Sequence, residues 1–189
     1  MNPFDHFSAN ATYRDGAVHL DDSVDWPDGA RLEVIPVLCG DSGDLSGPVI
    51  IAGFGLAGRC VADLLDQVGI SYTVIERNAV TVETQAALGR SIIEGDTTDR
   101  ETLLRAGLQS AAGLALTIPD EDAVLKATFL ARQLNPDVFI IARTNYSSKG
   151  MRAAQLGADE VIKAELAVAL QFYDRLRHRL LRRTDAQPA

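Results

Sequence analysis

A chain of 189 residues has room for one full α/β domain and a small appendage, and a 47% hydrophobic fraction is ordinary for a protein that buries a core. The net charge of −8 argues against general attraction to nucleic acid or to an anionic membrane, so no nucleic-acid partner is expected. Cys39 and Cys60 match no metal spacing and read as reduced thiols, the N-terminus shows no signal peptide, and no run is long enough to span a bilayer; a cytoplasmic protein is expected.

Taken in chain order, residues 1–9 read as a loose leader, and 10–38 alternate short β-like runs with turn signals. Ala11-Thr12-Tyr13 is followed by Asp15-Gly16 and Val18-His19-Leu20, and Pro27-Asp28-Gly29 precedes the alternating run from Arg31 to Val37. Asp-Gly between alternating runs predicts hairpins. A unit of this size, 1–40, buries little core by itself and is expected to pack on a neighbour. Residues 41–48 are polar and glycine-rich, as a linker is.

From Val49 the pattern becomes a regular β/α alternation. Strands are predicted at 49–53, 71–76, 90–94, 112–117, 138–143 and 160–163, each a short apolar run suited to a parallel strand buried on both faces. Helices are predicted at 57–68, 79–88, 99–106, 121–134 and 147–156, with Asp99 and Asp120 as N-caps. Such alternation gives an α/β Rossmann domain over 49–163. It is a doubly wound six-stranded parallel sheet in the order 3-2-1-4-5-6, with helices on both faces. A last amphipathic helix is predicted over 164–182 within a C-terminal segment 164–189, with Leu166, Leu170, Tyr173 and Leu176 on a stripe that buries against a neighbour. Its end carries Arg175, Arg177, Arg179, Arg182 and Arg183, which either face anionic lipid or a partner's acidic surface, or form a solvated end favoured by the helix dipole.

The segment Gly53-Phe54-Gly55-Leu56-Ala57-Gly58 lies between the first of these strands and the first of these helices. That setting makes the G-x-G-x-x-G pattern a diphosphate cradle: Gly53 for the tight turn, Gly55 for backbone approach to the ligand, Gly58 for close helix–strand packing. Glu76 ends the second strand, eighteen residues after Gly58, where an acid accepts from both ribose hydroxyls and repels a 2′-phosphate. Arg77 beside it can pair a phosphate or stack on adenine. Asp96, followed by Thr97, either accepts from an adenine amino group or caps the helix near Asp99. Thr117 and Ile118 either touch the second half of a nucleotide or form a turn before the fourth helix.

Residues 48–163 resemble the N-terminal RCK lobe, also called the KTN or TrkA-N domain, of bacterial K⁺ channels and transporters. The likeness rests on Val49–Gly58, Val74-Ile75-Glu76, Ile93-Glu94-Gly95-Asp96-Thr97, Ile140-Ile141-Ala142-Arg143 and the segment Leu156 to Ile162. Ala131-Arg132-Gln133-Leu134-Asn135-Pro136 resembles the Kef-type subgroup. The resemblance implies a sensor that binds NAD(H), or alternatively ATP/ADP or AMP, and passes a conformational change to a membrane K⁺ channel or transporter subunit. It implies contacts from Gly53, Gly55, Gly58, Glu76, Asp96 and Thr117, with Arg143 near the phosphates or a dimer seam. It also implies a homodimer or higher oligomer built on the fifth and later helices, and a place at the membrane through a transporter. Leu56 stands where many relatives carry a basic residue, and Val124 near where some carry Asn. The N-terminal unit resembles, in spacing alone, small AbrB or antitoxin-type β domains, with a dimerisation or docking role.

An NAD-dependent oxidoreductase is the competing reading, and an assembly module with a decayed nucleotide site is the third. An oxidoreductase needs a proton donor or acceptor beside the nicotinamide. His6, His19 and His178 all lie outside the β/α core, and Tyr146 is followed four positions on by Gly150, with Lys149 three on. The expectation is therefore a protein that is not an enzyme, with no catalytic and no metal-binding residues.

Overall fold

The computed structural model describes residues 11–14, 17–20, 45 and 47–184. The chain divides into two compact units, Met1–Ser42 and Gly43–Ala189. In the first, strands Ala11–Arg14 (β1) and Ala17–Leu20 (β2) pair antiparallel, with Ala11 opposite Leu20 and Arg14 opposite Ala17. The hairpin expected from the sequence around Asp15-Gly16 is present as this antiparallel strand pair. The leader, the second hairpin expected at 27–37 and residues 41–44 lie outside the described residues.

The second unit holds strands Val49–Ala52 (β3), Tyr72–Glu76 (β4), Ile92–Glu94 (β5), Gly113–Leu116 (β6), Phe139–Thr144 (β7) and Glu160–Lys163 (β8). Helices Leu56–Val68 (α1), Ala79–Ala87 (α2), Arg100–Arg105 (α3), Glu121–Leu134 (α4), Ser147–Gln155 (α5) and Ala164–Thr184 (α6) alternate with them. Every bound falls within two residues of its expectation. All strand pairs are parallel and the order is β5-β4-β3-β6-β7-β8, the doubly wound 3-2-1-4-5-6 arrangement. A short 3₁₀ turn, Leu108–Ser110, was not foreseen.

One sheet face carries Ile50, Ala52, Ile75, Leu114, Leu116, Ile140 and Ala142 against Leu103, Val124, Ala127, Ala131 and Ala153 from α3, α4 and α5. The other face packs Val49, Ile51 and Val74 against Ala62 and Leu65 of α1, with Phe54 among them. Burial of every strand on both faces does not hold. The central β3 and β6 are buried throughout, but β7 alternates buried and half-buried, and β8 alternates half-buried and exposed. The helix on that second face, α1, packs on β3, so Phe139, Ile141 and Arg143 of β7 keep partial contact with solvent.

The stripe expected to bury on α6 is also exposed: Leu166, Leu170, Tyr173 and Leu176 are each more than half accessible, and Val168 and Phe172 add apolar surface on other sides of the helix. Among the described residues, no helix is long and apolar enough to cross a membrane.

Candidate functional site

Strand β3 delivers the chain into the glycine turn, and the three glycines are demanded for different reasons. Gly53 has φ +91°, and a Cβ there would stand 2.7 Å from Ile118 Cγ2. Gly58 is buried at the start of α1, where a Cβ would come within 2.0 Å of the Gly53 carbonyl oxygen. Gly55 has extended backbone (φ −72°, ψ −165°), and a Cβ there would meet nothing within 4 Å. Packing inside the protein explains Gly53 and Gly58; it leaves Gly55 without an internal reason.

Helix α1 begins with no side-chain hydrogen bond capping its first turn. By contrast, Asn78 Oδ1 accepts from Thr81 N at the start of α2, and Asp99 Oδ2 from Thr102 N at the start of α3. Asp120 Oδ1 accepts from Asp122 and Ala123 at the start of α4. Both sequence-predicted caps, Asp99 and Asp120, are thus in place. At α1 the N–H groups and the positive end of the helix dipole are left facing outward beside Gly55 and Ala57, with Leu56 61% exposed.

Glu76 ties this turn to the next loop. Its Oε2 accepts from Phe54 N at 2.8 Å and its Oε1 from Asn78 N at 2.9 Å. Each oxygen keeps a lone-pair direction for another donor. Arg77 and Asp96 approach across the neighbouring strand ends, with Nη1 4.0 Å from Oδ2. Asp96 does not cap α3: its Oδ1 accepts from Thr98 N at 2.8 Å, a bond that holds its carboxyl below the ordinary carboxylate value, while Asp99 performs the capping. Thr97 is buried, which leaves Asp96 as the accessible member of that pair.

Across the switch point, Thr117 Oγ1 lies 2.8 Å from the carbonyl of Ala52 and 3.0 Å from that of Gly53, so its proton is directed into the backbone of the turn. Ile118 packs beneath Gly53. Continuing the register one residue past the Ala52–Leu116–Ala142 row places Gly53, Thr117 and Arg143 side by side, with Glu76 on the opposite flank of Gly53. Arg143 is then two strand spacings, about 10 Å, from the glycine turn. It is half-buried and, among the described residues, has no ion pair.

Two contributors were not singled out from sequence. Asn78 donates its backbone N–H to Glu76 and caps α2, and the strand-end Asn followed three positions on by Thr81 is a legible cap signal. Glu121 Oε1 accepts from Asn145 and Tyr146 N–H, drawing the β7–α5 loop to the start of α4. No local pattern marks that pairing, because the partners are more than twenty residues apart.

The model of the TrkA-N domain family matches residues 49–164. Over 124 residues the chain is 35% identical to a protein described as the K⁺ efflux antiporter KefB of Alkalimonas amylolytica, covering 66% of this chain and 19% of that one. The solved TrkA-N domain of the inner membrane protein YbaL from Escherichia coli is 28% identical with a TM-score of 0.67, covering 71% of this chain and 99% of that one. The structure of GsuK bound to ADP is 26% identical with a TM-score of 0.63, covering 70% and 34%. The chain spans about a fifth of the length of the curated relatives it matches. With the family pattern running from β3 through β8 on a glycine turn of this geometry, the chain belongs to the TrkA-N domain family.

Proposed function

We propose that this chain is a nucleotide-sensing regulatory subunit that acts on the cytoplasmic side of a membrane K⁺ channel or transporter. One observation carries the reading: Gly55, at the open start of α1, has no packing reason to be glycine, and the space a side chain would take is the space a diphosphate needs. Gly53, Phe54, Gly55, Leu56, Ala57 and Gly58 would line the phosphates. Glu76 would accept from the ribose hydroxyls through its remaining lone pairs, and Arg77 and Asp96 would flank the adenine. Thr117 and Ile118 would support the turn from below, with Arg143 toward the ligand's far half. NAD(H) is the first candidate ligand, and ATP, ADP and AMP are the alternatives; a similar structure holds ADP. A carboxylate at Glu76 disfavours NADP.

The chain senses rather than catalyses in this reading, and its output is a change of conformation felt by the transporter. The half-bare side of β7 and the exposed apolar residues of α6 support pairing with a second copy. Isothermal titration of NAD⁺, NADH, ATP, ADP and AMP tests the proposal. Binding of at least one, with NADP⁺ weaker than NAD⁺, is expected. No binding of any would overturn it and leave an assembly module, the reading that exposed Leu56 favours.

A further inference from the structure

Within the glycine turn itself, the buried side chain is that of Phe54. Phe54 stands between Gly53 and Gly55, two residues with the largest backbone freedom, so the ring of Phe54 and the bond from its N–H to Glu76 anchor the segment. The ring is only 6% exposed and lies among Ile51, Ala62, Leu65 and Val74. Over it sits the guanidinium of Arg90, 5.5 Å from the ring centroid. Arg90 comes from the loop before β5, at the amino edge of the sheet, whereas the glycine turn is at the carboxyl edge.

That guanidinium is itself held from three sides. Nη1 donates to the Tyr72 hydroxyl at 2.6 Å and to Asp66 Oδ2 at 3.1 Å, and Nη2 lies 3.5 Å from Asp63 Oδ1. The α1 helix, the start of β4, the loop before β5 and the glycine turn therefore meet at one cation. Asp63 and Asp66 are more than half exposed, so the ion pairs alone add little stability. What the arrangement does supply is orientation: a planar cation fixed by three partners favours one placement of the aromatic face beneath it.

We infer that Arg90 is a positioning residue for nucleotide binding, acting through the ring of Phe54 on the glycine turn and touching no ligand itself. The inference rests on the nucleotide reading of the site, yet part of its test is independent of any ligand. In the ligand-free full chain, amide hydrogen exchange at Phe54 and Gly55 reports how well the turn is ordered, and ADP titration reports the consequence. Arg90→Met, which keeps length without charge, is expected to speed exchange at Phe54 and to weaken ADP roughly tenfold, the scale of one lost cation–aromatic contact.

Arg90→Lys, which keeps the cation but loses the fork, is expected to recover part of both. In a Phe54→Leu background, Arg90→Met is expected to change neither further. A general structural role would instead lower the melting temperature in both backgrounds and add the same factor to ADP affinity in each; that result overturns the inference, as does unchanged exchange at Phe54. If Arg90→Met does not fold, the cycle of Arg90→Lys with Phe54→Leu decides the same question. Failure of the unaltered chain to bind any nucleotide would overturn the reading of the site and the effect on affinity, while exchange at Phe54 still decides whether Arg90 orders the turn.

Discussion

Gly55 and Gly58 are three residues apart in one motif, yet their surroundings are opposite: packing requires glycine at 58 and not at 55. A methyl on Gly58 would overlap the Gly53 carbonyl, a contact with backbone that no rotamer can relieve, so the turn itself must open. A methyl on Gly55 meets open space in allowed backbone. Gly55→Ala is therefore expected to leave unfolding free energy within about 0.5 kcal/mol of the parent. It should still weaken nucleotide binding at least tenfold, because the methyl takes the ligand's place. Gly58→Ala is expected to cost about 2 kcal/mol or more, the scale of overpacking against a fixed neighbour, and to lose binding with it. Denaturant titration beside calorimetric binding separates the two; equal losses of stability would refute the assignment. The glycine spacing was legible in the sequence, but which glycine the packing of the fold requires and which it does not depended on what lies around each Cβ.

Between elements, the cohesion of the sheet's β7–β8 side depends on long-range polar clamps. Arg132, near the end of α4, donates through Nε and Nη2 to the Gly157 carbonyl at 3.2 and 2.7 Å, and through Nη1 to the carbonyls of Pro136 and Val138. Nη2 also reaches Asp159 Oδ2 at 2.8 Å, and the same oxygen accepts from Ile140 N at 2.7 Å. Asn135, three residues further on, donates through Nδ2 to the carbonyls of Leu108 and Ala111. The side chain of Arg132 is only 26% exposed, so water replaces these donors poorly. Arg132→Ala is expected to destabilise the chain by about 2–3 kcal/mol, measured by urea unfolding, because the part-buried carbonyls of Gly157 and Val138 and the Asp159 carboxylate lose a charged donor at once. Nucleotide affinity in the folded fraction should change little, since the clamp lies at the amino edge of β7, away from the glycine turn. In the sequence, Arg132 belonged to a family-like segment with no assigned task; its partners lie up to twenty-seven residues away, beyond the reach of any local pattern.

For the whole molecule, the question is what covers the surfaces that one copy leaves open. The apolar residues of α6 are exposed around more than one side of the helix, and β7 shows a half-bare face. A chain ending at residue 163 is expected to sediment as a monomer where the full chain forms a dimer or larger species. It should keep its nucleotide affinity, because no residue of the candidate site lies in α6. Loss of binding on truncation would show that α6 is needed to hold the site, and an unchanged mass would remove α6 from assembly.

The order of strands and helices, their bounds to within two residues, the caps at Asp99 and Asp120 and the glycine turn between β3 and α1 were determined by the sequence alone, because each is a local matter of hydrophobic period, cap chemistry and glycine placement. Only the tertiary structure decided that Glu76 reaches Phe54 in the glycine turn, that Thr117 turns its hydroxyl into the backbone and that Arg90 stands over Phe54. Those relations join residues brought together by a parallel sheet whose neighbouring strands are far apart in the chain, and no sequence period encodes contacts of that range.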